Sequence, residues 1–392
     1  MKILRNLLLP LSSVLTSYLP KSSSSLFSAA MASLSPSPLQ VRVSSYNVLS
    51  SHLADPEHFS TLNPEHLSAP NRLPVILQKL DEEIQRNSII CLQEVSYDWA
   101  GSLHTHFANR GYHFVTGLYG KKFNGYMGVG IAFPLGPWNV LEVDISRLAD
   151  KREDKWPSPP KDNNNNLLSR ILKWMGATLR LYLESFRKLL PASIRDASSS
   201  TTTDHWAVSK NRFNVLVTVK LQDKVTKQAF AVGNYHMPCA YYAPMIMTIH
   251  TDLAARHVQR LAGEMPYILA GDWNIKPDSS SYRLLTTGTM DRGDPDWPTP
   301  KYGVEWKPTA QQPMRSAYKE FAGEEPNFTN YARIKEQEPF IDTLDYIFIS
   351  DSWNIKGVKS LPHRDEAGGP FPNLDRGEPS DHVLIAADLE LK

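Results

Sequence analysis

Short β-branched and apolar runs are interspersed irregularly with helical patterns along this chain, and this mixture limits its fold more than any other feature. Apolar residues spaced three and four apart predict helices over 73–84 and 243–261. Strand patterns, several of them paired as hairpins, are predicted at 41–49, 88–92, 128–133, 212–221, 230–235, 267–270, 344–349 and 382–389. Because strands and helices do not alternate strictly, we expect an α+β fold: two packed mixed β-sheets flanked by helices, a four-layer α/β sandwich.

The composition excludes several classes of protein. Of the 392 residues, 41% are hydrophobic, which is enough to build a large core and excludes global disorder. Lys and Arg total 42 against 41 for Asp and Glu, so bulk charge alone cannot hold a polyanion, and nucleic-acid binding needs a local basic patch. The two cysteines, Cys91 and Cys239, are too few for a disulfide framework or a four-cysteine zinc site and favour a reduced compartment.

The first forty residues differ in composition from the rest. Residues 1–40 are basic and rich in serine, and the first acidic residue is Asp55. This composition predicts a disordered targeting leader for a mitochondrion or plastid, followed by one domain over 41–392. A secretory signal, or a cytoplasmic protein that starts at Met31, stays open as an alternative. The apolar stretch 7–19 is too short and too polar to span a bilayer.

A second unusual segment lies inside the predicted domain. Residues 150–204 have low-complexity flanks around an amphipathic stretch, 168–190, in which apolar residues follow helical spacing and basic residues outnumber the single acid, Glu184. We expect an inserted helix that covers part of the domain. Contact with a membrane surface or a nucleic-acid strand through the basic face is the less favoured alternative.

Polar side chains recur where the predicted strands begin or end. Each of them alone would be an ordinary cap or turn residue. Together, and in this order along the chain, they predict one site at the edges of the sheets, where rigid strands hold functional loops. The residues are Asn47, Glu94, His236, Asp272, Asn274, Asp345, Asp381 and His382.

Carboxylates and amides of this kind suit the hydrolysis of a phosphodiester. That reaction requires neutralisation of the phosphoryl oxygens, and Mg²⁺, with Mn²⁺ as the alternative, takes oxygen ligands. Glu94 is the expected principal metal ligand, with the side-chain amide of Asn47 nearby. Zinc is disfavoured, because the set of polar residues contains no cysteine pair.

The remaining polar residues match the other requirements of such a reaction. Asp272 is expected to orient and deprotonate the attacking water, and Asn274 to hold that water or a phosphoryl oxygen. His236 and His382 are expected to donate hydrogen bonds to the negative charge that develops. A donating histidine must be kept in the right tautomer and orientation, and Asp345 is the carboxylate expected to do so.

The motifs resemble the endonuclease/exonuclease/phosphatase superfamily over about residues 41–390, leaving out the insertion. Within it they are most similar to the branch of carbon-catabolite-repressor deadenylases, nocturnin, angel-type proteins and the 2′,5′-phosphodiesterase. The resemblance rests on Tyr46-Asn47-Val48-Leu49, Leu92-Gln93-Glu94-Val95, Gly271-Asp272-Trp273-Asn274, Phe328-Thr329-Asn330-Tyr331, Leu344-Asp345-Tyr346 and Pro379-Ser380-Asp381-His382. It implies a metal-dependent 3′-exoribonuclease of deadenylase type that acts on RNA or a nucleotide substrate.

The resemblance also implies roles for residues beyond those assigned above. Asp381 would lie near the metal, Asn330 would contact the substrate, and Phe328 would stack on a base. A packed loop aromatic is the alternative interpretation of Phe328. No leucine-rich repeat is recognised in the sequence, so we expect no docking module of that type.

Departures from the family pattern leave the substrate open. Tyr235 replaces a small hydroxyl residue, Trp273 replaces Leu or Phe, and residues 237–242 are unlike the deadenylase sequence. A loop over 288–313, rich in Trp and Pro, is particular to this chain. The alternative is a phosphodiesterase or phosphatase that uses the same site on a nucleotide or a phospholipid, in the manner of sphingomyelinases. A non-catalytic binding module that keeps the fold is a further alternative.

Overall fold

Two six-stranded sheets form the centre of the computed structural model, which describes residues 38–160, 203–308 and 312–392. The first sheet contains, in spatial order, β13 (Trp353–Val358), β14 (Ile385–Leu391), β1 (Gln40–Asn47), β2 (Ile89–Val95), β4 (Gly128–Pro134) and β3 (Tyr112–Leu118). The second contains β5 (Trp138–Arg147), β6 (Val215–Asp223), β7 (Ala229–His236), β8 (Tyr267–Asp272), β12 (Asp345–Ile349) and β9 (Arg315–Ser316). A short hairpin pairs β10 (Asn330–Ala332) with β11 (Phe340–Asp342).

Each sheet has a parallel pair near its centre. In the first sheet β1 runs parallel to β2, and in the second β7 runs parallel to β8. The neighbouring strands β14 and β12 are antiparallel to β1 and β8 respectively. The carboxyl ends of both central pairs therefore lie beside the amino ends of β12 and β14, so polar residues from distant parts of the sequence meet at one edge of each sheet.

Helices cover the outer face of each sheet. On the first sheet, α2 (Ala69–Gln85) and α3 (Tyr97–Ala108) share a buried cluster with strand residues such as Leu92. On the second sheet, α5 (Pro244–Ala262) and α6 (Ser280–Thr287) do the same around residues such as Leu269. Shorter helices are α1 (Pro64–Leu67), α4 (His205–Asn211) and α7 (Ala317–Ala322). This order of helix, sheet, sheet and helix confirms the predicted fold class.

The strand patterns in the sequence have a simple physical origin. Every residue of β2 is buried, because the strand is covered by helices on one face and by the second sheet on the other. In the edge strand β5, by contrast, most residues are exposed. A fully covered strand needs a continuous apolar run, whereas in β5 apolar residues such as Val143 and Ile145 alternate with polar ones.

The predicted elements differ from the observed ones mainly at their ends. The helix predicted over 73–84 lies within the longer α2, and the final strand begins at Ile385 rather than at His382. His382 instead lies in the preceding loop, where it forms an isolated bridge with Asn330. Within the described ranges, none of the helices combines the length and apolar character needed to cross a bilayer.

The two ends of the insertion meet on the helical side of the second sheet. The guanidinium of Arg152 lies 5.2 Å from the ring centroid of Trp156 and 5.0 Å from that of Trp206. Those two tryptophan rings are 6.3 Å apart. Residues 161–202, with the predicted amphipathic stretch 168–190, lie outside the described residues, as do residues 1–37 of the predicted leader.

Candidate active site

The carboxyl ends of the two central parallel pairs supply four side chains to one site. Asn47 ends β1 and Glu94 lies near the end of β2, while His236 ends β7 and Asp272 ends β8. All four are at least nine-tenths buried. The structure thus brings these sequence-predicted residues together across the interface between the sheets.

A single amide joins the two carboxylates of this group. Asn47 Nδ2 donates to Glu94 Oε1 at 3.1 Å and to Asp272 Oδ2 at 2.9 Å. Its Oδ1 accepts from the backbone N–H of Leu49. With these contacts Asn47 holds the two carboxylates side by side. Direct ligation of a metal by its oxygen stays a prediction.

A β-bulge around Glu94 directs its side chain toward the other residues of the site. Glu94 has φ of 59°, and the pairing of β2 with β4 shifts register between Leu92 and Val95. Such a bulge turns a side chain that would otherwise follow the strand alternation. The backbone N–H of Ser50 then donates to Glu94 Oε2 at 2.9 Å, which fixes the second carboxylate oxygen.

Asp272 and Asn274 are positioned by a tight turn after β8. Gly271 has φ of 148°, and a Cβ at this position would overlap the Tyr235 carbonyl oxygen, so the sequence requires glycine here. The backbone N–H of Asn274 donates to Asp272 Oδ1 at 2.9 Å. Asn274 Nδ2 donates to the Met237 carbonyl, so its side-chain oxygen is the atom left to face the site.

His236 is held between a phenol and the two carboxylates. Its Nδ1 lies 3.2 Å from the hydroxyl of Tyr119. Its Nε2 is 3.5 Å from Asp272 Oδ2 and 3.9 Å from Glu94 Oε1. Asn214 Nδ2 also donates to the His236 carbonyl, which ties the end of β7 to the start of β6.

His382 and Asp345 form a buried pair on the other side of Asp272. Asp345 Oδ2 lies 2.7 Å from His382 Nδ1, and His382 Nε2 lies 3.7 Å from Asp272 Oδ2. Burial alone would lower the pKa of His382, but the nearby carboxylates of Asp345, Asp272 and Asp381 hold it well above its usual value. Burial raises the pKa of Asp345 to about 6, against the opposing effect of His382. The surrounding carboxylates therefore favour the protonated, donating form of the imidazole.

The carboxylates of this site suit a divalent cation. In the described part of the chain, neither Glu94 nor Asp272 forms an ion pair with a lysine or arginine, although both are buried. Buried carboxylates without a lysine or arginine to neutralise them are stabilised when a cation binds, and a hard cation prefers their oxygens. Asp272, Asp345 and His382 also place one ligand atom each within 4.8 Å of one another. In that group, Asp345 and His382 are already hydrogen-bonded to each other, which makes them less available to a metal. We therefore favour Glu94 as the main ligand.

Two further predicted residues lie beside this group on the β10–β11 side. Asn330 Nδ2 donates to Asp381 Oδ2 at 3.4 Å, and the Tyr331 N–H donates to the Asp381 carbonyl at 2.8 Å. Ser380 Oγ donates to the Asn47 carbonyl and accepts from the N–H of His382, which ties the loop before β14 to β1. The loop that carries Asp381 and His382 is therefore fixed against the end of β1.

The prediction that Phe328 stacks on a base is wrong for this structure. Its side chain is fully buried, in a cluster with Ala367, Phe371 and Val383. The ring is T-shaped to Tyr331, at 5.9 Å between centroids. Because no face of the ring reaches solvent, Phe328 is a packed aromatic of the hairpin, the alternative considered for it.

Sequence reasoning missed two residues that support the site. Arg72, in the first turn of α2, donates to the carbonyls of Val48, Leu49 and Pro379, and so fixes the loops after β1 and before β14. Burial lowers the pKa of Arg72 to about 10, which leaves it charged. Tyr119 lies in the loop after β3. Neither Arg72 nor Tyr119 is part of a recognisable motif, because each contacts residues that are distant in the sequence.

The two packed sheets and the buried group of carboxylates and histidines agree with the family that the sequence comparison identifies. The chain belongs to the endonuclease/exonuclease/phosphatase family, whose sequence model matches residues 44–382. The resemblance inferred from the motifs is thereby confirmed.

Individual relatives agree with this assignment. The Ccr4 protein of Aspergillus oryzae, named a 3′-5′-exoribonuclease subunit of the CCR4-Not complex, is 23% identical over 401 residues, which cover 90% of this chain and 48% of that protein. Mouse 2′,5′-phosphodiesterase 12 is 27% identical over 176 residues, 43% of this chain and 27% of that protein. The chain spans about half the length of the Ccr4 relatives it matches.

Solved structures share the fold. ANGEL2, described as a 2′,3′-cyclic phosphatase, aligns with a TM-score of 0.62 and 19% identity, covering 90% of this chain and 96% of that one. The catalytic domain of human Nocturnin aligns with a TM-score of 0.55 and 16% identity, covering 91% and 94%.

Proposed function

We propose that this protein is a Mg²⁺-dependent phosphodiesterase that removes nucleotides from the 3′ end of RNA. The observation that carries the proposal is the pair of buried carboxylates, Glu94 and Asp272, bridged by Asn47 and faced by two histidines. This arrangement combines a cation site, a base for water and donors for phosphoryl oxygens within one group of neighbouring side chains. The names of the Ccr4 relatives support the RNA substrate and the direction of cleavage.

Glu94 is the main residue that would hold the cation, with Asp381 as a further carboxylate. Ser50 and Asn47 hold the Glu94 carboxylate in place through one hydrogen bond to each oxygen. When bound, Mg²⁺ neutralises charge on the phosphoryl oxygens. Mn²⁺ suits the same oxygen ligands and is expected to substitute for it.

Asp272 orients the attacking water and accepts its proton. The backbone N–H of Asn274 and the amide of Asn47 each hold one oxygen of the Asp272 carboxylate, so the group keeps one orientation. A base fixed in this way reacts without first reorganising. The side-chain oxygen of Asn274 is available to accept the second hydrogen of that water.

His382 and His236 donate hydrogen bonds to the phosphoryl oxygens as negative charge develops on them. Asp345 holds the Nδ1 side of His382, so the Nε2–H points into the site. Donors fixed in a buried site stabilise developing charge more strongly than water does. The bond to the 3′ oxygen then breaks, that oxygen takes up a proton from solvent, and the products are a 5′-phosphate and a 3′-hydroxyl.

The proposal is tested with an RNA that carries a 5′ label and a 3′ run of adenosines. The full chain with Mg²⁺ should produce a ladder of labelled products shortened from the 3′ end, and Asp272→Asn should not. Circular dichroism of both proteins checks that they are folded. No cleavage of RNA by folded protein, together with hydrolysis of a nucleotide or a phospholipid, would contradict the exoribonuclease and favour the alternative substrates.

A further inference from the structure

We propose that residues 121–126, which we call the rim loop, bind a single-stranded stretch of the substrate beyond the nucleotide being removed. Tyr97, whose backbone lies against this loop, belongs to the same surface. The proposal rests on the proposed function, because it takes RNA as the polymer bound. The rim loop, which lies outside the group of catalytic residues, would then bind a chain of several nucleotides.

The rim loop touches both halves of the active site. On the Glu94 side, Ser50 donates from its backbone to Glu94 Oε2 and from its hydroxyl to the Asn124 carbonyl, each at 2.9 Å. On the His236 side, the loop follows directly after Tyr119, whose hydroxyl meets His236 Nδ1. A polynucleotide that leaves the scissile phosphate in this direction therefore passes over the loop.

The backbone of the rim loop is fixed by its own contacts. Asn124 is buried, and its Oδ1 accepts from the N–H of Lys121 at 2.7 Å. Gly125 and Tyr126 both have left-handed conformations, with φ of 65° and 50°. The N–H of Tyr97 donates to the Gly125 carbonyl at 2.9 Å. These contacts fix the backbone of the loop.

Large aromatic rings point outward from this fixed surface. Phe123 is 68% exposed, Tyr126 is 51% exposed and Tyr97 is 67% exposed. Grouped exposure of rings is costly in water and marks a surface that binds something. Every base has a π-face, so exposed rings of this kind suit single-stranded nucleic acid without regard to its sequence.

Two lysines lie beside the exposed rings and favour a negatively charged polymer as the partner. Lys121 and Lys122 are both exposed, and in the described part of the chain neither forms an ion pair. Lys121 Nζ lies 5.5 Å from the ring centroid of Phe213, and that ring lies 5.9 Å from the ring of Tyr119. Asp98 is the nearby acid, and it faces His52 at 3.5 Å. Two lysines without an ion-pair partner among the described residues, beside three rings, suit a phosphate backbone with stacked bases rather than an uncharged partner.

The first arm of the test measures binding alone. Full-length protein carrying Asp272→Asn, which blocks cleavage, is titrated into a fluorescein-labelled oligoadenylate of about twelve nucleotides, within the usual range of a single-strand site. Adding Phe123→Ala or Tyr126→Ala should each weaken binding ~10-fold, the loss expected for one stacked base. Phe321→Ala on α7 is the matched control, since that ring is 51% exposed but belongs to a different element, and it should bind as the parent does.

The second arm uses salt and substrate length. Lys122→Gln should reduce the slope of log Kd against log salt by ~0.7, the contribution of one phosphate contact on a single strand. In the otherwise wild-type protein, Phe123→Ala should slow cleavage of the long substrate but leave cleavage of a dinucleotide unchanged.

Failure of this proposal is distinguishable from failure of the proposed function. Equal affinity of the parent, Phe123→Ala and Tyr126→Ala for the oligoadenylate would overturn the rim loop as a binding surface, even if RNA is cleaved. Weaker binding by these variants would support it even if the wild-type protein cleaves no RNA. An absence of any oligoadenylate binding by the parent would overturn it outright.

Discussion

The hydrogen bond between Asp345 and His382 determines what the second histidine can do. Asp345 Oδ2 accepts a hydrogen bond from His382 Nδ1 at 2.7 Å. His382 Nε2 is then the donor that faces Asp272. We expect Asp345→Asn to lower kcat by ~10²–10⁴-fold with little change in KM, the range typical of a positioned acid or base. Steady-state kinetics on an RNA substrate test this. Asp342→Asn, on the neighbouring β11, is the control and should leave both constants near those of the wild type.

The same pair predicts the pH dependence of the reaction. The carboxylates around His382 raise its pKa against the effect of burial, so its donating form persists as pH rises. Removing the charge of Asp345 lowers that pKa, and the alkaline limb of the kcat profile should move to lower pH in Asp345→Asn. An alkaline limb that stays in place would show that another group controls it.

Glu94 provides the test of the cation site. We expect Glu94→Gln to raise the Mg²⁺ concentration needed for half-maximal activity by at least ~10-fold, a loss seen even when residues that only support a ligand are replaced. Binding of Mn²⁺, followed by electron paramagnetic resonance, gives a readout that does not depend on catalysis. Unchanged Mn²⁺ affinity in Glu94→Gln would place the cation elsewhere, with the group of Asp272, Asp345 and His382 as the next site to test.

Among the elements, the central strands were predictable and the edges were not. β1, β2, β7 and β8 carry apolar or β-branched runs because both of their faces are covered, and the polar residue at each end then stands out. The edge strand β5 exposes most of its side chains and carries a short alternating pattern, with Asp144 between Val143 and Ile145, rather than a continuous apolar run. The helix that supplies Arg72 was predicted, but its role depends on three carbonyls from other loops.

One buried histidine links three elements and makes stability depend on pH. His250 on α5 accepts from the Tyr235 hydroxyl of β7 at Nδ1 and donates from Nε2 to the Ser209 carbonyl of α4. Burial lowers its pKa to about 4, whereas in the unfolded chain it is about 6.5. Between these values the unfolded state binds more protons, so stability falls as pH falls through this window.

The size of this effect can be measured by chemical denaturation. The His250 contribution should amount to up to roughly 3 kcal/mol between pH 6.5 and pH 4, since each pKa unit corresponds to about 1.4 kcal/mol. His250→Gln cannot be protonated, so its free energy of unfolding should vary less across this range than that of the wild type. His113→Gln, at an exposed position of β3, is the control. Equal pH slopes for wild type and His250→Gln would contradict the assignment.

At the scale of the whole molecule, the sequence predicted most residues of the candidate site but not all of its geometry. The order of polar motifs indicated Asn47, Glu94, Asp272 and His382 because their residue types are constrained by chemistry. The burial of Phe328 depends on how the β10–β11 hairpin packs against the loops before β14, and no local pattern encodes that packing. The targeting leader 1–40 and the role of the insertion 150–204 stay predictions.

In the proposed mechanism, a water activated by Asp272 attacks the phosphorus and expels the 3′ oxygen. Hydrolysis of an oligoadenylate in H₂¹⁸O, followed by mass spectrometry of the released mononucleotide, distinguishes this route from its alternatives. We expect 5′-AMP with one ¹⁸O atom in its phosphate. Release of a 2′,3′-cyclic or 3′-phosphorylated nucleotide, or of 5′-AMP without ¹⁸O, would contradict it.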